Sequence, residues 1–565
     1  MRHPAWQNRA NADIAQALQH RGQAWDVVVI GGGITGAGIL LEAAKRGLSA
    51  LLLEQRDFAW GTSSRSSKLV HGGLRYLKEA KFHLTRDSVR ERERLMQQAD
   101  GLVEAQSFAF ADYRGRKPGR WMFALGLAIY DRMAGQRARH YFSKDEFNLL
   151  TPHIAQQDLQ GGLCYADAKT DDARLVLRVL QEAQAAGAVA LNYVAVENVL
   201  YSDGQASAVQ VVDQVSGQHL QIACRTVINA TGAWAARLRR PDVVQADSAK
   251  KLRPLRGSHL IFPAWRLPVA QAVSLMHPRD GRPVFLYPWE GVTLVGTTDV
   301  DHQLDIQQEA RISQAELDYL MEALAFQFPS LALSCDDIVS CYAGVRTVID
   351  SGQADPSKEA RDHAVWLEHG LLTVTGGKLT TFRLIALDAL KQLKPYFPHW
   401  KDVGTADALF PDPLSATAMA ELPPGLNAQQ WRRLCGRWGR DALALIAIAQ
   451  EAELQTLPGT QTLVVELRWA ARFEAVWHLD DLLLRRTRLG LLLKAGGAAH
   501  ADLFRRICQQ ELGWNDARWL QEWTDYLALW EGCYSVQHLR AASSASMTSA
   551  TSATPVSVQR CSSKI

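Results

Sequence analysis

The chain has 565 residues, long enough for two to four domains and at least one large buried core. Hydrophobic residues are 47% and charged residues 21%, which excludes a disordered, collagen-like or disulfide-framework protein for the bulk of the chain. The 62 Lys and Arg against 59 Asp and Glu leave +3, so no global field for nucleic acid is expected and nucleic acid is not a predicted partner. None of the eight cysteines lies at CxxC spacing and no metal-ligand pattern completes nearby, so reduced, mostly buried thiols and no metal site are expected. The N-terminus lacks the apolar core of a signal peptide, and no run reaches the roughly 18 apolar residues of a membrane span. These features predict a protein that is cytosolic or lies on a membrane surface.

Residues 1–24 read as a polar, helix-prone extension. Trp25–Ile30 (WDVVVI) is a β-branched apolar run, followed by glycines, a helical stretch over Ile39–Arg46, and a second apolar run, Leu48–Leu53, that ends at Glu54. This βαβ opening predicts an α/β fold with a parallel sheet. A Ser-rich loop follows, then charged helical sequence from Arg86 to Ala99. Residues 171–187 carry helical periodicity up to Gly187, and strands are expected over 188–201, 206–215 and 219–229. A strand-rich block covers 253–350, Leu371–Thr375 is a buried strand, and its glycines lead into a helix over Thr380–Leu393. Residues 428–532 are helical and hold eight of the 17 tryptophans, which predicts a separate helical domain. Low-complexity Ser/Thr/Ala sequence after 541 predicts a disordered tail.

The strongest local signal is GGGITGAG at 31–38, where Gly31, Gly33 and Gly36 satisfy GxGxxG between a strand and a helix. Its glycines permit a tight turn, close approach of a pyrophosphate, and helix–strand packing. The helix N-terminus then offers N–H groups to phosphate. Glu54, 23 residues after Gly31, falls where an acidic side chain meets a ribose hydroxyl. Two later segments return toward the same sheet: VINATGAW at 227–234, with Thr231 and Gly232 at its turn, and TVTGGKLTTFR at 373–383. A second helix N-terminus aimed at the cofactor suits a flavin, which gains negative charge on reduction.

In order along the chain stand GGGITGAG, GTSSRSSKLVHGGLRYL (61–77), DDARLVL (171–177), ATGAW (230–234), LRGSH (255–259), GTTD (296–299), YAGVR (342–346) and GGKLTT (376–381). This set resembles the FAD-dependent glycerol-3-phosphate dehydrogenases, respiratory enzymes that feed electrons to quinone, and RRTRLG (485–490) extends the resemblance into the helical region. Thr347 departs from the family's usual Pro and Thr35 from its frequent Asn. The resemblance implies a Rossmann-like FAD-binding domain of the glutathione-reductase and D-amino-acid-oxidase kind, a β-rich substrate domain and a C-terminal helical domain. On that plan the FAD-binding domain comprises 25–110, 166–235 and 346–395. A cap segment at 111–165 and the block 236–345 form the substrate domain, 396–540 the helical domain, and 541–565 the tail.

The resemblance implies FAD as cofactor and glycerol 3-phosphate as substrate, oxidised to dihydroxyacetone phosphate, with electrons passed to quinone. An oxidase passing them to oxygen is the close alternative, and a flavin-binding RNA-modification factor or scaffold the distant one. By the same resemblance Arg75, Tyr76 and Lys378 are expected on the substrate phosphate, a dianion that the two cationic side chains suit. Arg346 is expected beside the flavin and the reacting hydroxyl. His259 is the first choice of base, with His71 its competitor. Ser63, Ser64, Ser67, Lys68, His71 and Gly73 are expected along the flavin, with Gly376, Gly377, Lys378, Leu379 and Thr380 on its far side.

WMFALGLAIY at 121–130 is uncharged and flanked by Arg116, Lys117, Arg120, Arg132, Arg137 and Arg139. It is too short to span a bilayer but suits an interfacial helix on anionic lipid; a buried helix of the substrate domain is the alternative. The expected location is cytoplasmic, peripheral on the inner face of the cytoplasmic membrane, with a homodimer as the assembly left open.

Overall fold

Two sheets organise the molecule. The computed structural model describes residues 6, 14–18, 24–74, 82–116, 119–135, 137–238, 252–350, 352, 362–404, 407–410 and 421–539. The predicted tail lies outside these residues.

The first sheet, eight-stranded among the described residues, forms around Trp25–Ile30, whose six residues are all buried. A run buried on both faces is what a parallel sheet covered by helices requires. His219–Asn229 and Ala50–Leu53 flank this strand in parallel, Leu371–Gly376 pairs in parallel beyond the first and Val189–Leu191 beyond the second. The two returns expected at 227–234 and 373–383 thus end beside the first strand. Helices Ile34–Lys45, Asp172–Ala185 and Phe382–Leu393 share one core with this sheet. The first helix begins at Ile34, earlier than the apolar pattern shows, because its opening turn is the glycine motif itself.

The second sheet is ten-stranded among the described residues. Val103–Tyr113 and Leu159–Thr170 pair antiparallel from Val103 opposite Thr170 to Tyr113 opposite Leu159. Residues 103–110 and 166–170, expected in the FAD-binding domain, are therefore strands of this second sheet. Ser340–Ile349 pairs along its length with Leu252–Pro263, so 346–349 belongs there too.

The C-terminal region is helical, as expected, with Ala428–Trp438, Val464–Phe473, Ala501–Leu512 and Asp516–Cys533 among its elements. It is bolted to the rest by buried ion pairs. Arg485 and Arg486 both engage Asp57, the latter at 2.6 Å, and burial, which alone would raise that carboxyl, is outweighed by the two cations, so its pKa falls to about 2. The N-terminal segment is more than an extension. Trp6 is buried, stacks on Phe58, donates from its indole to the Ala190 carbonyl at 2.9 Å, and accepts from Ala475 N–H through its own carbonyl.

The apolar run lies in the helix Arg120–Ala134. Leu127, Tyr130 and Asp131 are buried, whereas Trp121 is 77% exposed and Met122 and Leu125 are each 64% exposed. The expectation of a buried helix holds for the inner face alone.

Candidate active site

The first strand hands the chain to Gly31 at φ +112°, and a Cβ there would lie 2.7 Å from the Ala230 carbonyl of the neighbouring return. A Cβ on Gly36 would lie 1.9 Å from the Gly31 carbonyl, so helix and turn pack at a distance only glycine allows. Gly33 caps the helix Ile34–Lys45 without a side-chain hydrogen bond of its own. Ser63 supplies one from the serine loop, its Oγ accepting from Ile34 N–H at 3.0 Å. Glu54 ends the second strand, where its carboxylate accepts from Gly32 N–H at 2.7 Å and Arg56 N–H at 2.9 Å. Burial pushes its pKa up in spite of these donors.

These groups open into a cleft of about 420 Å³ between the two sheets. Of the residues expected on a dinucleotide, Gly31, Gly33, Glu54 and Ser63 line one side. Thr231 and Gly232 line the next return, and Gly376, Gly377, Lys378 and Leu379 the last. Arg346 closes the wall from the second sheet. An elongated diphosphate with two ring systems fits this set: backbone N–H groups at a helix start, a carboxylate one strand away, and a second helical turn opposite.

Several expected residues stand elsewhere. Gly36 lies under the turn and shapes it. Lys68 is wholly buried, with its ammonium 2.8 Å from Asp172 and 2.9 Å from the Ser64 carbonyl, so it braces the serine loop from behind. Burial and the nearby Arg488 push its pKa down to about 8. Ser64 is buried, and its carbonyl faces the same cations. The hydroxyl of Thr380 turns from the cleft to donate to the His71 carbonyl at 3.2 Å, and neither Gly73 nor His71 is part of the cleft wall. Arg75 and Tyr76 fall outside the described residues.

His259, the first choice of base, sits behind the cleft. It is buried, stacked on Tyr342 with ring centroids 4.7 Å apart, and its Nε2 shares a 2.9 Å hydrogen bond with Ser67 Oγ. Burial, aided by the Lys68 ammonium, pushes its pKa down to about 3. A group so reluctant to take a proton is a poor general base near neutrality. The structure makes it a support for Ser67, which itself does not line the cleft.

Arg346 is half-exposed toward the cleft, and its Nη2 donates to both oxygens of buried Asp299, which also meets Arg282 at 3.3 Å. Lys378 Nζ donates to Ser88 Oγ at 3.2 Å, bridging the last return to the helix Phe82–Gln98.

Sequence reading missed several lining residues. Trp60 and Thr62 flank the expected serines, Trp234 ends the ATGAW motif and Arg237 follows it, and Val196 and Glu197 arrive on the strand Val194–Ser202. The last two carry no local motif; only the pairing of Val189–Leu191 with Ala50–Leu53 brings them near Glu54.

Comparison with known proteins shows the family of the chain and its fold. Residues 26–383 match the FAD dependent oxidoreductase family, and residues 403–519 match the C-terminal domain of alpha-glycerophosphate oxidase. An aerobic glycerol-3-phosphate dehydrogenase of Staphylococcus haemolyticus (strain JCSC1435) is 35% identical over 496 residues, 84% of this chain and 88% of the relative. The structure of the glycerol-3-phosphate dehydrogenase from Bacillus halodurans complexed with FAD superposes with a TM-score of 0.72 at 28% identity, covering 91% of this chain and 97% of that one. An L-alpha-glycerophosphate oxidase from Mycoplasma pneumoniae with FAD bound shares the fold at a TM-score of 0.52 and 18% identity, over 69% and 98% of the two chains.

Proposed function

The chain belongs to the FAD-dependent glycerol-3-phosphate dehydrogenase family, and from that premise we propose that it oxidises sn-glycerol 3-phosphate to dihydroxyacetone phosphate. The observation that carries this reading is the placing of Arg346 and Lys378 on a cleft that otherwise presents glycine turns and helix starts. Bound FAD supplies the two-electron acceptor for hydride from the secondary alcohol. Gly31, Gly33, Glu54, Thr231, Gly232 and the turn Gly376–Leu379 would hold it.

The remaining work falls to side chains. Lys378, with Arg75 and Tyr76 of the GGLRYL motif, is assigned to the substrate phosphate, where fixed cations replace water around a dianion. Arg346 is assigned to the alcohol oxygen: a guanidinium aimed at that atom stabilises the charge that develops as the hydride departs. With His259 buried behind Ser67, the proton acceptor is assigned to the competing candidate His71, half-buried and just outside the cleft wall, its carbonyl tied by Thr380 to the turn after Lys378.

Quinone is the proposed acceptor of the second half-reaction, which requires the protein to dock on the bilayer that dissolves it. The exposed outer face of Arg120–Ala134 supports such docking, and no helix among the described residues is long and apolar enough to cross a membrane. Anaerobic addition of glycerol 3-phosphate to the purified yellow protein should bleach the flavin, and a quinone analogue should restore it faster than oxygen. No bleaching would remove the substrate assignment, and faster recovery in oxygen with peroxide release would make the protein an oxidase.

A further inference from the structure

The serine loop that forms one wall of the cleft has its backbone gripped from several directions. Lys68 Nζ and Arg488 Nη2 both donate to the Ser64 carbonyl, at 2.9 and 2.6 Å. Asp172 Oδ2 accepts from Ser66 N–H at 2.9 Å and Ser66 Oγ at 2.7 Å, while its Oδ1 meets Lys68 at 2.8 Å and Arg488 at 3.2 Å. Tyr342 donates to the Ser66 carbonyl at 2.9 Å, and Tyr287 to that of Ser67. Arg488, Lys68 and Asp172 are all fully buried.

Arg488 belongs to the C-terminal helical region, 424 residues from the carbonyl it holds. Its φ is +64° and that of Lys68 is +51°. Left-handed backbone is costly for side-chain-bearing residues and persists where surrounding contacts over-determine it. Here the two cations in that conformation converge on one carbonyl. The other arm of Arg488 is fixed too, with Nη1 donating to the Leu484 carbonyl at 2.6 Å. One residue before the held carbonyl, Ser63 Oγ meets the first turn of the dinucleotide helix. Two residues after it, Ser66 lines the cleft.

We propose that Arg488 is a positioning residue for the flavin: through Ser64 and Asp172 it fixes the serine loop, making the C-terminal region part of the flavin site. Lys68 alone leaves the carbonyl with a flexible point donor, whereas the planar guanidinium of Arg488 is anchored through Nη1 on the Leu484 carbonyl and reaches both the Ser64 carbonyl and Asp172 Oδ1 with Nη2. The inference rests on flavin in this cleft and is independent of which alcohol or acceptor is used.

The test compares holoenzymes. Arg488→Met should weaken FAD binding about tenfold, the scale of losing a hydrogen bond to a charged donor. It should also shift the visible flavin absorption and slow anaerobic flavin reduction at saturating substrate, with KM within about twofold of wild type. Arg488→Lys should recover part of each loss. Arg472→Met, which removes an ion pair with Glu511 elsewhere in the helical region, should change none of them. If Arg488→Met keeps wild-type flavin affinity, absorption and reduction rate, the clamp is overturned, even if that protein melts earlier. If Arg488→Met fails to fold, Arg488→Lys decides: weaker flavin and slower reduction support the clamp, and wild-type values overturn it. A wild-type protein purified without flavin and unable to take it up would instead overturn the cleft assignment.

Discussion

One nitrogen of Arg346, Nη2, donates to both carboxylate oxygens of Asp299, at 2.7 and 2.6 Å. The contact leaves the rest of the guanidinium for the cleft and ties its direction to a buried anion on the GTTD segment. Arg346→Ala should lower kcat by about 10²–10³, as does loss of an oxyanion donor in other enzymes, with flavin content unchanged. Asp299→Asn keeps the arginine but loosens its aim, and a reduction in kcat of about 10- to 100-fold is expected at nearly constant KM. Steady-state kinetics with flavin-normalised enzyme checks both, and wild-type kcat in Arg346→Ala would displace this residue from the reacting oxygen.

A Cβ built on Gly33 lies 3.1 Å from Ser63 Oγ, the atom that caps Ile34 N–H. Gly33→Val adds two further carbons at that point, so it displaces the cap and fills space a pyrophosphate needs. The expected product is colourless protein with less than about a tenth of the wild-type flavin. Absorbance at the flavin band after desalting reads this directly, and stoichiometric flavin would refute the cradle.

The cradle was legible because its constraints are local: a turn, a helix start and a strand end occupy 24 consecutive residues, Gly31 to Glu54. The two returns of the chain were legible for the same reason, each being a strand that ends in glycine. What the sequence concealed is long-range. The pairing of Arg488 with Ser64, and the packing of Trp6 against Phe58 and Ala190, depend on tertiary folding that no local pattern encodes. From sequence His259 is the first choice of base because a free imidazole titrates near neutrality. Its burial, which decides its chemistry, follows from a strand whose two neighbours carry Tyr342 and Gly296 beside it.

The buried state of His259 predicts a pH dependence of stability. Its folded pKa, about 3, lies below the ordinary value of 6.5, so the unfolded chain binds a proton that the folded one refuses. The stability this contributes is complete above pH 6.5 and is lost as pH falls toward 3. Between pH 7 and 5 the loss is about 2 kcal/mol. His259→Gln, which can keep the contact to Ser67, should flatten that part of the profile in urea unfolding. It should leave the pH dependence of kcat unchanged, whereas His71→Asn should slow anaerobic flavin reduction by about 10²–10⁴. A kinetic limb that disappears in His259→Gln and persists in His71→Asn would reverse the two roles.

Trp6 is 1% exposed and touches both the dinucleotide core and the segment that leads into the arginine-rich turn. Trp6→Ala should cost about 3–5 kcal/mol, the range for emptying a large aromatic site. Because Ala475 N–H bonds to the Trp6 backbone carbonyl, which survives the substitution, the loss comes from the ring. Thermal unfolding of the holoenzyme tests it: an unchanged midpoint would show that the segment adds nothing to the core.

The helix Arg120–Ala134 is fixed from beneath. Tyr130 shares hydrogen bonds of 3.0 Å with Asp167, and its hydroxyl accepts from Gly72 N–H at 2.9 Å. Its outer residues can therefore be changed without releasing it from the second sheet. Trp121, Met122 and Leu125 stand on that outer face, and Arg116 and Arg120 stand at its start, the former over Tyr113 and Phe326, the latter over Trp121 and Tyr141. Lys117, expected in the same basic cluster, lies outside the described residues. Apolar burial and attraction to anionic lipid should act together here, each large side chain contributing up to about 1.5–3 kcal/mol on full insertion. Co-sedimentation with anionic vesicles should be strong at low salt and weaken as the Debye length shrinks from about 30 Å at 0.01 M to about 10 Å at 0.1 M. Trp121→Ser with Leu125→Ser should reduce binding at every salt concentration, whereas Arg116→Glu with Arg120→Glu should act chiefly at low salt. Both variants should keep wild-type flavin content and wild-type rates with a water-soluble acceptor, and lose rate only with quinone held in vesicles. Equal vesicle binding by wild type and both variants would move the docking face elsewhere on the molecule. If the wild type ignores vesicles at low salt and reduces oxygen faster than any quinone analogue, the acceptor is oxygen and the helix serves another contact.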